Sequence, residues 1–273
     1  MVDLNCNQTV SNNKPKDTLA PLKDNSTTNV KSPMTDFLKS DRLKIFQQNV
    51  CGLSRKTNEL IVSLLPNLPQ ILCLTEHHLR SEEIVNMTLD MYSLGSQFCR
   101  KTFKQGGVCI YTSKDMQFSP INLDQFTKEK DFEICALKLC LPVNSVIIMC
   151  CYRSPIENFN FFLKQLDSVL NKIFKVSMDI ILCGDFNINH LDDSPRKHLL
   201  ESLLDSFNLS STVMFPTRIC NNSYSLIVNI YTNTKRRNFL ITPLINGLSN
   251  HDGQIIDLAY TPNTPNKVFS LSR

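Results

Sequence analysis

The chain has 273 residues, 42% of them hydrophobic and 20% charged, with a formal net charge of +4. These proportions are ordinary for a globular protein and exclude a low-complexity or fibrous chain. Its strongly apolar runs, such as SVIIMCCY, are too short to span a bilayer, and no basic-then-apolar start marks a secretory signal.

Residues 1–41 are rich in Asn, Thr, Ser, Lys and Pro and poor in aromatics, which predicts a disordered leader unable to bury enough apolar surface to order itself. Its five Lys balance its five Asp, so the positive excess lies on residues 42–273, expected to form one domain with one sizeable core. That mild basicity permits a nucleic-acid partner without requiring one. The eleven cysteines include no CxxC pair of metal-binding spacing. Cys73, Cys109, Cys135, Cys150, Cys151 and Cys183 lie inside apolar runs, where thiols behave as small hydrophobes. The pattern predicts a reducing intracellular setting, nucleus or cytoplasm, rather than secretion, and no membrane partner.

Along the chain, RLKIFQQNV reads as an opening strand and NELIVSLLPNL as a helix ended by Pro66. QILCLTEHHL is a buried strand that finishes in charged and imidazole residues, and GGVCIYTSK, EICALKLCL and SVIIMCCYRSP follow as three more strands. ENFNFFLKQLDSVLNKIFK is amphipathic, with Phe159, Phe162, Leu163, Leu166, Leu170 and Phe174 on one face. The strand DIILCGDFN comes next. In SPRKHLLESLLDSFNL, Ser194 is the expected N-cap and Pro195 lies in the first turn. STVMFPTR, YSLIVNIYT, NFLITPLI and GQIIDLAY all read as strands. Strands outnumber the interspersed helices, which predicts two β-sheets packed face to face with helices outside, and a functional rim where strand ends from both sheets meet.

Five segments supply candidate chemistry at such a rim: Asn49 in QQNVCG, Glu76 in CLTEHH, Tyr152 in CYRSP, Asp185 with Asn187 in GDFN, and His251 in GLSNHDGQ. In this order and spacing they resemble the endonuclease/exonuclease/phosphatase superfamily, and among its members the endonuclease domains of non-LTR retrotransposons, over roughly Arg42 to Tyr260. GDFNIN is the most specific element. The resemblance implies an α+β, four-layer sandwich of the DNase I type, with two mainly antiparallel or mixed sheets and flanking helices. It further implies Mg²⁺- or Mn²⁺-dependent phosphodiester hydrolysis that nicks double-stranded DNA. The reverse transcriptase that accompanies such domains is absent from these residues.

Residue by residue, the resemblance makes Glu76 the metal ligand, with Asn49 fixing the metal's neighbourhood. Asp185 is then the base that orients or deprotonates the attacking water. Asn187, Tyr152 and His251 donate to the phosphate as charge builds on it. Arg153 and the TKRR turn, with Lys235, Arg236 and Arg237, are candidate phosphate or DNA contacts, although short charged runs are usually solvated surface. His77, His78, His190 and His198 are read as rim or surface residues without a role.

Two positions depart from the family pattern. Asn250 stands where relatives carry the aspartate of Ser-Asp-His, and Val228 where they carry the aspartate of Ile-Asp-Asn, which accepts a hydrogen bond from the histidine ring. Loss of a histidine's carboxylate partner lowers turnover by about 10⁴-fold in the serine-protease triad. Impaired cleavage is therefore expected. Two alternatives follow from the same residues: a degenerate, non-catalytic DNA-binding or scaffold protein, and a phosphoinositide or sphingolipid hydrolase on the same fold.

Overall fold

The computed structural model describes residues 42–141, 144–174, 178–220, 223–235 and 238–259. The expected leader, residues 1–41, lies outside them, as do Arg236 and Arg237. In chain order the elements begin with β1 (Arg42–Asn49), α1 (Thr57–Leu64), β2 (Ile71–Thr75), α2 (Ser81–Asn86), β3 (Tyr92–Phe98) and β4 (Val108–Ser113). They continue with β5 (Gln117–Ile121), β6 (Glu133–Cys140), β7 (Ser145–Tyr152), α3 (Phe159–Ile173), β8 (Asp179–Asp185) and α4 (Pro195–Asp205). Short strands β9 (Ser210–Ser211), β10 (Arg218–Cys220) and β11 (Ser223–Ser225) precede β12 (Val228–Thr232), β13 (Phe239–Leu244) and β14 (Gly253–Ala259).

The strands form two mixed six-stranded sheets, ordered β13-β14-β1-β2-β4-β3 and β5-β6-β7-β8-β12-β9, while β10 and β11 make a separate two-stranded hairpin. Side-chain alternation along the strands builds the layers. In the first sheet Ile45, Ile71, Cys73 and Ile110 point inward and meet Ile148, Cys150, Ile181 and Cys183 of the second. Their neighbours Phe46, Leu72, Leu74 and Tyr111 point outward and are covered by Leu60 and Leu64 of α1 and Ile84 of α2. The outer face of the second sheet, with Met149, Cys151, Ile180 and Leu182, is covered by Phe162, Leu166 and Leu170 of α3 and Leu200 and Leu204 of α4. The result is the helix–sheet–sheet–helix sandwich expected from the sequence.

α3 starts at Asn158, whose side chain accepts from Phe161 N at 3.0 Å, and α4 at Ser194, whose hydroxyl accepts from Lys197 N at 3.3 Å. On α3, Phe162, Leu166 and Leu170 are fully buried, each contributing about 1.5–3 kcal/mol of burial. Val169 and Ile173 complete the buried face, whereas Leu163 and Phe174 only border it.

Five segments do not match the sequence expectation. α2, β3 and β5 were not anticipated, because none carries a sustained apolar period. STVMFPTR is a strand only at its two ends, and YSLIVNIYT breaks at Leu226 and Ile227 into β11 and β12. Among the described residues, no helix is long and apolar enough to cross a membrane.

Candidate active site

Each sheet has one parallel pair at its centre, β1 with β2 and β7 with β8. Parallel partners end on the same side, so Asn49 finishes beside Thr75, with Glu76 next in chain, and Tyr152 finishes beside Asp185. These four strand ends form one rim. One side chain joins the two halves: Asn49 Nδ2 donates to Glu76 Oε1 at 2.9 Å and to Asp185 Oδ2 at 2.8 Å.

The second sheet reaches the rim through a glycine. A Cβ at Gly184 would stand 1.8 Å from the Cys151 carbonyl oxygen, so only glycine lets β8 lie this close to β7 just before Asp185. Beyond Asp185, Asn187 takes a left-handed φ of 51° and returns its N–H to Asp185 Oδ1 at 3.0 Å. Glu76, at φ 53°, is another left-handed non-glycine, as are Cys51 at 44° and His78 at 62°. Such conformations each cost of order 1–3 kcal/mol, and they gather here at the rim.

Arg153 does not face a phosphate. It is fully buried, and its guanidinium donates to the carbonyls of Phe186, Ser154 and Asn187, each at 3.0 Å, against the rings of Phe159 and Phe162. Asn187 Nδ2 donates back to the Arg153 carbonyl at 2.7 Å, so this arginine braces the loop that presents Asp185 and Asn187. Lys235 is also misplaced for the expected role. β12 pairs Val228 with Asp185 at the rim and Thr232 with Ile181 four residues away, about 13 Å along the strand, and exposed Lys235 lies beyond that far end.

His251 reaches the rim from the loop before β14. Gln48 Nε2 donates to its carbonyl at 2.7 Å, and its N–H donates at 3.1 Å to Ser249 Oγ, whose hydroxyl donates to the Asn49 carbonyl at 2.6 Å. The ring is buried, and its Nδ1 stands 3.9 Å from Asp185 Oδ2, too far for a hydrogen bond. Nδ1 has no partner among the described residues. Val228, which pairs with Asp185 across the ladder, is fully buried and offers the imidazole nothing.

The two carboxylates sit in different electrostatic states. Burial raises Asp185 from 3.8 to about 7, against the Asn49 hydrogen bond, with Glu76's charge adding to the rise. Burial acts upward on Glu76 too, but hydrogen bonds from His78, Asn49 and Tyr152 outweigh it and hold the group at about 2. Burial and the nearby Arg218 lower His251 to about 4, so the ring is neutral near pH 7. The Tyr152 phenol is pushed upward by burial, then by Glu76 and Asp185, and stays protonated.

Two residues belong here that sequence reading passed over. His78 Nε2 lies 3.1 Å from Glu76 Oε2, a contact made with both residues in left-handed conformations and therefore not readable from strand alternation. Arg218, on three-residue β10, carries no sequence signal, yet it bears on Asp185, His251 and Cys51. His77 is structural: it is fully buried, with Nε2 3.1 Å from the Phe98 carbonyl and Nδ1 accepting from Leu79 N at 3.0 Å.

As a cation site the rim suits a hard ion held by few protein atoms. Among the described residues no group of three or more His, Cys, Asp or Glu side chains has metal-binding geometry, which does not fit a zinc-type cage. Glu76 is ionised, and its side chain is 20% exposed, which fits Mg²⁺, an ion that keeps most of its waters. Asn49 acts on the neighbourhood of this site through its carboxylates. Its nitrogen faces both carboxylates, and its oxygen accepts from Cys51 N at 3.1 Å, so it is a donor to the carboxylates and not an oxygen ligand.

The profile of the Endonuclease/Exonuclease/phosphatase family matches residues 46–266. Among solved structures, the chain is similar to the endonuclease domain of TRAS1, a telomere-specific non-LTR retrotransposon, with a TM-score of 0.63 at 15% identity over 80% of this chain and 98% of that one. It is similar to an AP endonuclease from Archaeoglobus fulgidus, with a TM-score of 0.57 at 15% identity over 78% of this chain and 98% of that one. The 3′ phosphatase NExo from Neisseria, bound to a product DNA hairpin, matches with a TM-score of 0.56 at 16% identity over 79% and 99%. At these identities the likeness establishes the two-sheet fold. No curated protein sequence matches the chain.

Proposed function

Since the chain belongs to the endonuclease/exonuclease/phosphatase family, we propose that it is a Mg²⁺-dependent phosphodiester hydrolase of the retrotransposon endonuclease type, acting on double-stranded DNA with impaired turnover. The observation that carries this reading is the single amide of Asn49 holding Glu76 and Asp185, from two different sheets, on one rim.

Each residue's state supports a role. Glu76, ionised and partly exposed, would hold the cation, with Mn²⁺ as a substitute. A bound Mg²⁺ supplies charge neutralisation to the phosphate. Asp185, at about 7, is deprotonated in a substantial fraction at neutral pH while remaining basic enough to take a proton from water, the compromise a general base requires. The Tyr152 hydroxyl, on turning from Glu76 to the phosphate, and the second N–H of the Asn187 amide would add donors without adding negative charge, stabilising charge that builds on phosphate oxygens. His251 is neutral and donates only from whichever nitrogen holds the proton.

That last point supports impairment. With Val228 apolar and Nδ1 unpartnered, nothing in the described surroundings selects the ring's tautomer. The same observation favours a second reading, a DNA-binding protein that has lost catalysis.

A plasmid-nicking assay with Mg²⁺ tests both. Slow nicking that disappears in Asp185→Ala fits the first reading. DNA binding with no nicking fits the second, and wild-type-like fast turnover unaffected by Asp185→Ala would discard the assigned base.

A further inference from the structure

Arg218 is held at the rim by its backbone and then by its side chain. It pairs with His251 in an isolated antiparallel bridge, Ile219 N donates to the Asn250 carbonyl at 3.3 Å, and Asp252 N donates to the Thr217 carbonyl at 2.9 Å. With the Asn250 amide turned so that both partners are satisfied, the Arg218 guanidinium forks onto its oxygen, Nε at 3.1 Å and Nη2 at 3.2 Å. Two guanidinium N–H groups thus converge on a single amide oxygen, where a carboxylate would offer two oxygens and a charge, and the acceptor is neutral. Among the described residues Arg218 forms no ion pair, and it remains half-buried.

The consequence is a fixed cation whose charge is not cancelled. A guanidinium has five N–H donors, and the fork engages two of them. The guanidinium stands close enough to the rim for its charge to be felt at His251, Asp185 and Cys51. We infer that Arg218 is a phosphate-binding residue of this site, oriented by the neutral amide of Asn250 and available to an anionic phosphate ester at the rim because, among the described residues, no carboxylate lies within ion-pair distance of it. The inference rests on the phosphodiester reading given above for its biological substrate, but not for its chemistry. Orthophosphate presents non-bridging anionic oxygens of the kind a phosphodiester carries.

The role also assigns a purpose to Asn250. An aspartate there would meet the same fork as a carboxylate, neutralise the guanidinium and set a negative charge beside any arriving phosphate. An asparagine keeps the orientation and leaves the charge.

Two probes separate this inference from the DNA reading: a fluorescently labelled DNA duplex titrated across a salt series, and orthophosphate titrated by calorimetry, both without added metal. The proteins are the full chain and its Arg218→Ala, Arg218→Lys and Asn250→Asp variants. Arg218→Ala is expected to weaken both probes by roughly 10-fold and to reduce the salt slope of duplex binding by about 1. Arg218→Lys should recover part of the loss, and Asn250→Asp, which keeps the arginine, should lose affinity as Arg218→Ala does. Parent-like binding of both probes by Arg218→Ala and Asn250→Asp overturns the inference and leaves the DNA reading standing. Arg218-dependent phosphate binding without duplex binding supports the inference and overturns the DNA reading.

Discussion

The Nδ1 of His251 stands 3.9 Å from the Oδ2 of Asp185 with no hydrogen bond between them, and residue 228, the ladder partner of Asp185, is a buried valine. Ladder partners project to the same face of a sheet with Cβ atoms about 4.5–5.5 Å apart, so a carboxylate at position 228 would arrive beside both groups. Val228→Asp is expected to raise the Mg²⁺-dependent nicking rate by more than about 10-fold while lowering the melting temperature, since it buries a charge. A variant that folds and nicks no faster than the parent would show that histidine orientation does not limit turnover.

Asp185 gives the protein a signed pH dependence. Its folded value, about 7, is raised above the 3.8 of the unfolded chain, so the folded state binds the proton more tightly. The resulting stability is fully present below about pH 4 and is lost as pH rises through about 7. Asp185→Asn removes this titration. Relative to the parent, the variant should therefore gain about 2–4 kcal/mol between pH 4 and pH 8, read by urea unfolding without metal. A flat difference across that range contradicts the assignment.

Arg153 is expected to behave as a structural brace. Arg153→Ala leaves three carbonyls without their donor and opens a void against Phe159 and Phe162, costing about 3 kcal/mol or more in unfolding free energy. Arg153→Lys keeps the charge but not the planar fork, and should also be destabilised. In the variant that folds, the salt slope of DNA binding should equal the parent's. A slope reduced by about 1 with unchanged stability would return Arg153 to the phosphate.

Lys235 supplies the contrasting case. Exposed and beyond the far end of β12, it should contribute little: Lys235→Ala is expected to leave both stability and DNA affinity within about two-fold of the parent. A tenfold loss of affinity would place nucleic acid on the opposite rim.

Much of this was legible in the amino-acid order, for identifiable reasons. Apolar runs ending on Asn49, Glu76, Tyr152 and Asp185 announced strand ends, and two parallel pairs bring such ends together. The amphipathic α3 was visible because its period is long and uninterrupted. Arg153 was misread although elementary alternation argues against a shared face: next to Tyr152 in an extended chain, it must point the other way, into the helix layer. Arg218 was invisible because β10 is too short for any period, and its place depends on a bridge to His251, far along the chain. Asn49 was found, but which end of its amide faces the carboxylates is decided by Cys51 N, a contact no spacing encodes.

The amide of Asn49 fastens one sheet to the other through the carboxylate of Asp185 and, on its own side, steadies Glu76. Reactive groups that also serve as a clasp are under two kinds of selection. The hydrogen bonds from Asn49 to the two carboxylates need no reaction to persist, so they hold whether or not the residues useful only to the reaction are in place. Intact acids at this rim are thus weak testimony that a descendant still cleaves. The position to examine for that is one like 228, whose side chain makes no hydrogen bond that holds the rim together.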